Sequence, residues 1–348
     1  MQHFQVYLGI ILLLPLSSVV QGADKLVIAH RGASGYLPEH TLEAKVLAFA
    51  QGADYLEQDV VMTRDDQLVV FHDLTLERMT NVASLYPERA RADGSYYVID
   101  FTLAELRRLT LHEGSVFPGR FPTELGHFSL HTLAEELELV AGLQASTGRQ
   151  VGIYPELKSP WFHHQHGKDL ALAVFKVLQA YGYDSREDTI FVQSFDHHEL
   201  VRIKRELLPS LGMDLKLVQL IAQNAWNETM ARDAEGVWQP YDYDWMFTQE
   251  GIKQLVEVVD GLGPAWDMLL PATLSANEVE HRGSDLVQWA HAQELQVHPY
   301  TFRREASQLP AWAASIEQML EVFLYRIDVD GVFTDFPDLA REVIAKRQ

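Results

Sequence analysis

The chain has 348 residues, 47% of them apolar, no cysteine, and a formal net charge of −21. That length suits one large domain or two medium ones around a sizeable core. The charge argues against a nucleic-acid partner, which would need a basic face. The missing cysteine removes disulfides, thiolate metal sites and thiol nucleophiles. Hard chemistry must come from His, Asp, Glu, Lys, Arg, or a metal held by oxygen and nitrogen.

In chain order the first feature is the apolar run VYLGIILLLPLSSVV, residues 6–20. It is short of the roughly 20 residues a membrane span needs, and small residues follow it. Residues 1–22 therefore read as a secretory signal, with Ala23 opening the mature chain. The run MQHFQ before it has no Lys or Arg, which leaves an uncleaved anchor as the alternative. No later run is long and apolar enough to span a bilayer. The expected location is the periplasm, with no stable membrane insertion of the mature chain; homodimer formation is left open.

Short β-rich runs then alternate with helical patterns. Candidate strands are LVIAH (26–30), DYLEQDV (54–60), QLVVFH (67–72), VGIYPEL (151–157), TIFVQSF (189–195), KLVQLI (216–221), QVHPYTF (296–302) and GVFTDF (331–336). Helical stretches include 42–52, 169–182 and 198–208. This βα alternation predicts an α/β TIM (β/α)8 barrel over residues 23–348. DMLLP (267–271) is a ninth candidate strand, and an open doubly wound sheet is the competing architecture. No G-x-G-x-x-G loop supports that competitor. Residues 73–131 break the rhythm and read as an insertion after the third strand. Capping boxes at Thr102/Glu105 and Thr132/Glu135 place helices in or beside it. The segment 222–266, with five Trp and Tyr between Trp226 and Trp245, reads as a second elaboration.

The chemistry sits where polar residues interrupt apolar strands. His30 and Arg31 end the first strand. Glu57 and Asp59 lie in the second, two apart. His72 ends the third, and Glu156 and Lys158 end the fourth, again two apart. Residues two apart on a strand share a face, and barrel strand ends converge at one mouth. Three carboxylates at close range resist ionising together without a cation. Oxygen ligands suit a hard ion, Ca²⁺ or Mg²⁺, rather than zinc. Arg31 and Lys158 remain as donors for phosphate oxygens. His30 and His72 remain as an acid–base pair. Gly32 and Gly35 read as sites of a sharp turn and close backbone approach to a ligand. Each feature alone has a plainer structural reading; four consecutive strands ending in charge or imidazole outweigh it, since burying such groups without function is costly.

Other polar residues carry less. His163, His164 and His166 read as a polar loop, His197 and His198 as a helix start, and Glu199 and Glu206 as solvated. Asp335 reads equally as a support or a direct contact. Tyr300 is placed to cover the apolar edge of a ligand. No Ser sits in a G-x-S-x-G elbow, which disfavours a serine hydrolase.

The runs AHRGASGYLPEHT, ADYLEQDVVMTRDDQLVVFHD, YPELK and FTDFPD together resemble the glycerophosphodiester phosphodiesterase family. PWFHHQ, LVQLIA, PYDYDWMF and VHPYT resemble its periplasmic, calcium-dependent bacterial branch. The resemblance covers about residues 25–338. It implies hydrolysis of glycerophosphodiesters, such as glycerophosphocholine and glycerophosphoethanolamine, to sn-glycerol 3-phosphate and an alcohol. Carried onto this chain, it implies His30 as general base and His72 as general acid. It implies Glu57, Asp59 and Glu156 as ligands of Ca²⁺, with Mg²⁺ the alternative, and Arg31 and Lys158 as phosphate contacts. Two departures stand out. Tyr300-Thr301-Phe302-Arg303 replaces a W-T-x-N motif, and His40 stands where Asn is common; neither is expected to touch the acid–base pair or the metal ligands. Other classes remain open: a secreted binding module on the same barrel, and a phosphodiesterase acting on lysophospholipids at a membrane.

Overall fold

The computed structural model describes residues 25–347, apart from 115, 118, 271–273, 276, 277 and 279–284. The expected signal, residues 1–22, lies outside the described residues. The strands are β1 (Leu26–Ala29), β2 (Tyr55–Met62), β3 (Leu68–Val70), β4 (Gly152–Leu157), β5 (Phe191–Ser194), β6 (Lys216–Ile221), β7 (Met230–Arg232), β8 (Trp238–Pro240), β9 (Gly261–Pro264), β10 (Gln296–Val297) and β11 (Gly331–Thr334).

Eight of these strands run in the order β10-β9-β6-β5-β4-β2-β1-β11, and every neighbouring pair is parallel. Backbone bonds from Asp330 N to Val297 O and from Phe333 N to Pro299 O, both 3.0 Å, draw β11 back toward β10. This is the expected TIM barrel, nearly closed, with helices outside. Its outer core comes from the apolar faces of strands and helices, such as Leu56 and Val60 of β2 against Leu133 and Leu137 of the helix Leu133–Thr147.

Two strand expectations are corrected. The third candidate, around β3, is third in the chain but is not a stave: it pairs antiparallel with β2. Only residues 63–67 separate β2 from β3, whereas a parallel crossover takes a dozen or more. The chain instead turns back through Thr63 N→Gln67 O at 2.9 Å, with Asp66 left-handed. The missing stave is β9, whose sequence GLGP carries no β-branched residue. The ninth candidate, 267–271, begins inside a short helix, Trp266–Leu269.

The insertion follows β3. It closes over an apolar cluster of its own, including Phe71, Leu76, Met79, Val98, Phe101 and Phe128. Both capping boxes form, with Thr102 heading the helix Leu103–Leu106 and Thr132 the helix Leu133–Thr147. The elaboration between β6 and β9 carries the antiparallel hairpin β7–β8. Residues 160–165 are a helix rather than a loop. In it His163 is buried and accepts from Met62 N at 3.1 Å.

Candidate active site

Strand alternation stacks the barrel interior in two layers. Ile28, Tyr55, Tyr154, Phe191, Val218 and Phe333 pack together as an apolar floor. Two residues further along the same strands come His30, Glu57, Glu156, Gln193, Leu220 and Asp335. All but Asp335 line one cleft of about 450 Å³ at the C-terminal mouth. The cleft also takes in Arg31, His72, Lys158 and Tyr300. Every residue expected at the site therefore gathers there except Asp59, which sits just behind it.

Ligand oxygens of Glu57, Asp59 and Glu156 all lie within 4.8 Å of one another, and all three residues are buried. Glu57 Oε2 accepts from Arg31 N at 2.8 Å and Oε1 from Gln193 Nε2 at 3.0 Å. Asp59 Oδ2 accepts from His40 Nε2 at 2.7 Å, while Oδ1 is buried without a hydrogen bond. Lys158 Nζ lies 2.7 Å from Glu156 Oε1. That contact is charge-to-charge without hydrogen-bond geometry, so this buried oxygen also lacks a hydrogen bond.

Burial and the Asp59 charge push the Glu57 carboxyl up to about 8. Burial pushes Glu156 well above the carboxylate range despite Lys158. For Asp59 burial acts upward too, but Lys158, His40 and His72 outweigh it and hold the group well below that range. The trio thus retains protons that a cation would displace. An unfilled buried oxygen, Asp59 Oδ1, among hard carboxylate donors fits Ca²⁺ or Mg²⁺.

A second group, His164, Asp169 and Glu199, also brings its ligand atoms together. Arg202 already fills it, 2.7 Å from Asp169 and 2.5 Å from Glu199. Glu199 is consequently buried and paired, not solvated as expected.

Each imidazole of the cleft is held by a carboxylate. His30 Nδ1 faces Asp335 Oδ1 at 2.6 Å, and His72 Nδ1 faces Asp73 Oδ1 at 2.5 Å. The facing carboxylates assign the proton to Nδ1 and leave Nε2 free to accept one. Burial and the Arg31 charge lower His30 to about 3. Burial, Arg31 and Lys158 lower His72 to about 4. His72 is the more open of the two, its side chain 30% exposed. Asp335 supports His30 rather than lining the cleft. Its Oδ2 accepts from Arg120 Nη2 at 2.7 Å and Arg303 Nε at 2.8 Å.

Arg31 adopts φ 59 and Gly32 φ 90, which swings the chain off the end of β1. A Cβ on Gly32 would lie 2.8 Å from the Ala44 carbonyl carbon, and one on Gly35 2.2 Å from the Phe336 ring. These glycines let the loop turn sharply, as expected, and pack on a helix and an aromatic ring. Arg31 Nη1 donates to Glu39 Oε2 at 2.8 Å, and Nε lies 3.4 Å from Asp59. Glu39 also binds Arg78, which binds Asp73, so a chain of ion pairs links Arg31 to His72. Tyr300 lines the cleft with its ring edge-on to Phe195, its hydroxyl donating to Ile221 O at 2.8 Å.

The expectation about His40 is corrected, while Arg303 reaches the acid–base pair only through Asp335. His40 bonds directly to Asp59, and Arg303 to the carboxylate that holds His30. Sequence reasoning missed Gln193, Glu39, Asp73 and Arg120. Gln193, a polar residue inside the strand TIFVQSF, showed the same signal that exposed Glu57 and Glu156. Arg120, within a long insertion, offered none.

Fold and site place the chain among TIM-barrel proteins that carry a buried carboxylate cluster and a carboxylate-held imidazole pair at the barrel mouth. Residues 30–339 match the Glycerophosphoryl diester phosphodiesterase family. A Haemophilus influenzae glycerophosphodiester phosphodiesterase is 50% identical over 336 residues, covering 92% of this chain and 90% of its own. One from Treponema pallidum is 43% identical over 333 residues, covering 93% of each. Among solved structures, an Oleispira antarctica phosphodiesterase in complex with the product sn-glycerol-3-phosphate shares the fold at TM-score 0.58 and 24% identity, covering 92% of this chain and 96% of that one. The chain belongs to the glycerophosphodiester phosphodiesterase family.

Proposed function

We propose that the chain hydrolyses glycerophosphodiesters, glycerophosphocholine and glycerophosphoethanolamine among them, to sn-glycerol 3-phosphate and an alcohol. The observation that carries this reading is the presence, in one cleft, of two carboxylate-held imidazoles beside three buried carboxylates. Glu57, Asp59 and Glu156 would hold a divalent cation, Ca²⁺ in this reading with Mg²⁺ the alternative. When bound, that cation supplies Lewis-acid charge to the phosphate.

His30 Nε2 takes the proton of the attacking hydroxyl. That hydroxyl is either the glycerol 2-hydroxyl, giving a cyclic phosphate that water then opens, or water itself. Burial and cationic neighbours keep each imidazole neutral at rest. His72 takes up a solvent proton on Nε2 when the phosphodiester anion enters and gives it to the departing alcohol. His30 returns the proton it has taken to solvent, so protons balance over the cycle. Arg31 and Lys158 line the cleft beside the carboxylates and offset the charge of the phosphate oxygens. Because these groups grip the glycerophosphate half, the alcohol is tolerated broadly.

The test is release of glycerol 3-phosphate from glycerophosphocholine by the mature chain, with EDTA and then with Ca²⁺ or Mg²⁺ restored. Loss with EDTA and return with Ca²⁺ is expected. No release under any divalent ion overturns the reading. The apolar run at 6–20 supports export, and the periplasm is the proposed location; recovery of the protein only in the cytosolic fraction of cells would overturn that.

A further inference from the structure

Lys45 is fully buried, 0% exposed, on the helix Leu42–Ala50. A lysine in that setting needs partners for its charge. Its Nζ pairs with Glu136 Oε1 at 2.9 Å and donates to the carbonyl oxygen of Glu57. Glu136 is also fully buried, on the helix Leu133–Thr147. Its Oε2 is met by His131 Nε2 at 2.7 Å.

Gln58 connects this outer network to the barrel wall. Alternation along β2 sends Glu57 and Asp59 inward and Gln58 outward. Gln58 Nε2 donates to Glu136 Oε1 at 2.8 Å, and its Oε1 accepts from Tyr154 N at 3.1 Å. Tyr154 lies on β4, two residues before Glu156. The peptide between Glu57 and Gln58 is therefore gripped from behind by Lys45. The strand bearing the third carboxylate is tied to the same network through Gln58.

A buried ion pair rarely adds net stability, and apolar replacements are often neutral or better. The contacts made here give the pair a different use. We propose that Lys45 and Glu136 are positioning residues that set the spacing of Glu57, Asp59 and Glu156 for a divalent cation. This rests on the reading that those three carboxylates hold a metal.

The test is calorimetric titration of the metal-free full chain with CaCl₂, alongside melting curves. Lys45→Met is expected to weaken binding about 10–100-fold, the range for residues that orient metal ligands. The double variant Lys45→Met/Glu136→Leu removes the orphaned carboxylate and refills the space with apolar atoms. It is expected to recover the melting temperature but not the affinity, a split that a purely structural role would not produce. Glu136→Gln, close to isosteric, gives a milder arm should the lysine variants not fold, and a severalfold weaker Kd is expected there. Wild-type affinity in any folded variant overturns the positioning role alone. Failure of the wild type to bind Ca²⁺, Mg²⁺ or Mn²⁺ overturns the metal reading and this inference with it.

Discussion

His30 and Asp335 are 305 residues apart in the chain and 2.6 Å apart through Nδ1 and Oδ1. Asp335 is 1% exposed and holds Arg120 and Arg303 with its other oxygen. The two arginines keep the carboxylate ionised, which holds the proton on His30 Nδ1 and frees Nε2 as a base. Asp335→Asn should present an amide that favours the wrong tautomer. The corresponding change in a serine protease triad costs roughly 10⁴ in kcat, and a loss of about 10²–10⁴-fold is expected here, with a lowered melting temperature as well because Arg120 and Arg303 lose their buried carboxylate partner. Turnover within a few-fold of wild type would remove Asp335 from the machinery.

The roles of His30 and His72 separate by leaving group. Each alanine variant should lose about 10²–10⁴-fold on glycerophosphocholine, as is typical of acid–base catalysis. A 4-nitrophenyl phosphodiester of glycerol departs without needing a proton. On that substrate His72→Ala should recover most of its loss, and His30→Ala should not. Equal losses on both substrates would reverse or void the acid and base assignments.

Much of this arrangement was legible because strand periodicity is simple. Glu57 with Asp59, and Glu156 with Lys158, announced themselves as polar pairs on one face of apolar strands. What escaped was set by contacts distant in sequence. Nothing in VFPGRFP marks Arg120 as reaching Asp335, 215 residues away. The sequence GLGP hid a barrel stave because its backbone fits a crowded wall without side chains of strand character. The composition of β3 reads as a stave, whereas its short separation from β2 requires the antiparallel turn seen. His40, expected to touch neither the acid–base pair nor the metal ligands, holds the carboxylate oxygen of Asp59.

That contact yields a prediction for the carboxylate cluster. His40 is 1% exposed and donates its Nε2 proton to Asp59 Oδ2 at 2.7 Å. His40→Ala leaves that oxygen short of a donor and free to turn. The calcium needed for half activity should rise about 10–100-fold, the range for partners that orient metal ligands. Glu57→Gln, which removes a ligand charge itself, should raise it at least as far. Activity measured against free calcium separates these outcomes from a change in kcat. Unchanged calcium dependence in Glu57→Gln would take that residue out of the ligand set.

The last prediction follows from the protons the cluster retains. Glu57 is raised from 4.5 to about 8 by burial and Asp59, and Glu156 is raised as well. A carboxyl that binds its proton more tightly when folded stabilises the protein fully below the unfolded value, and loses that contribution as pH rises through the folded one. Each unit of such a shift corresponds to about 1.4 kcal/mol. Asp59 and Asp335, held well below the carboxylate range, act oppositely and cost stability only in acid below that range. The buried His30, His40, His72, His163 and His298, all lowered, act the other way and gain stability as pH rises toward 6.5. The Glu57 contribution is therefore read by difference: relative to Glu57→Gln, the metal-free wild type should lose melting temperature between about pH 5 and about pH 8, where Glu57 gives up its proton. Calcium, which takes the place of those protons, should raise the melting temperature more at the alkaline end of that window than at the acid end. Scanning calorimetry across the window, with EDTA and with calcium, measures both trends. A wild-type-minus-Glu57→Gln difference in EDTA that stays level, or a calcium shift equal at both ends, would mean that the three carboxylates do not share protons with a metal site.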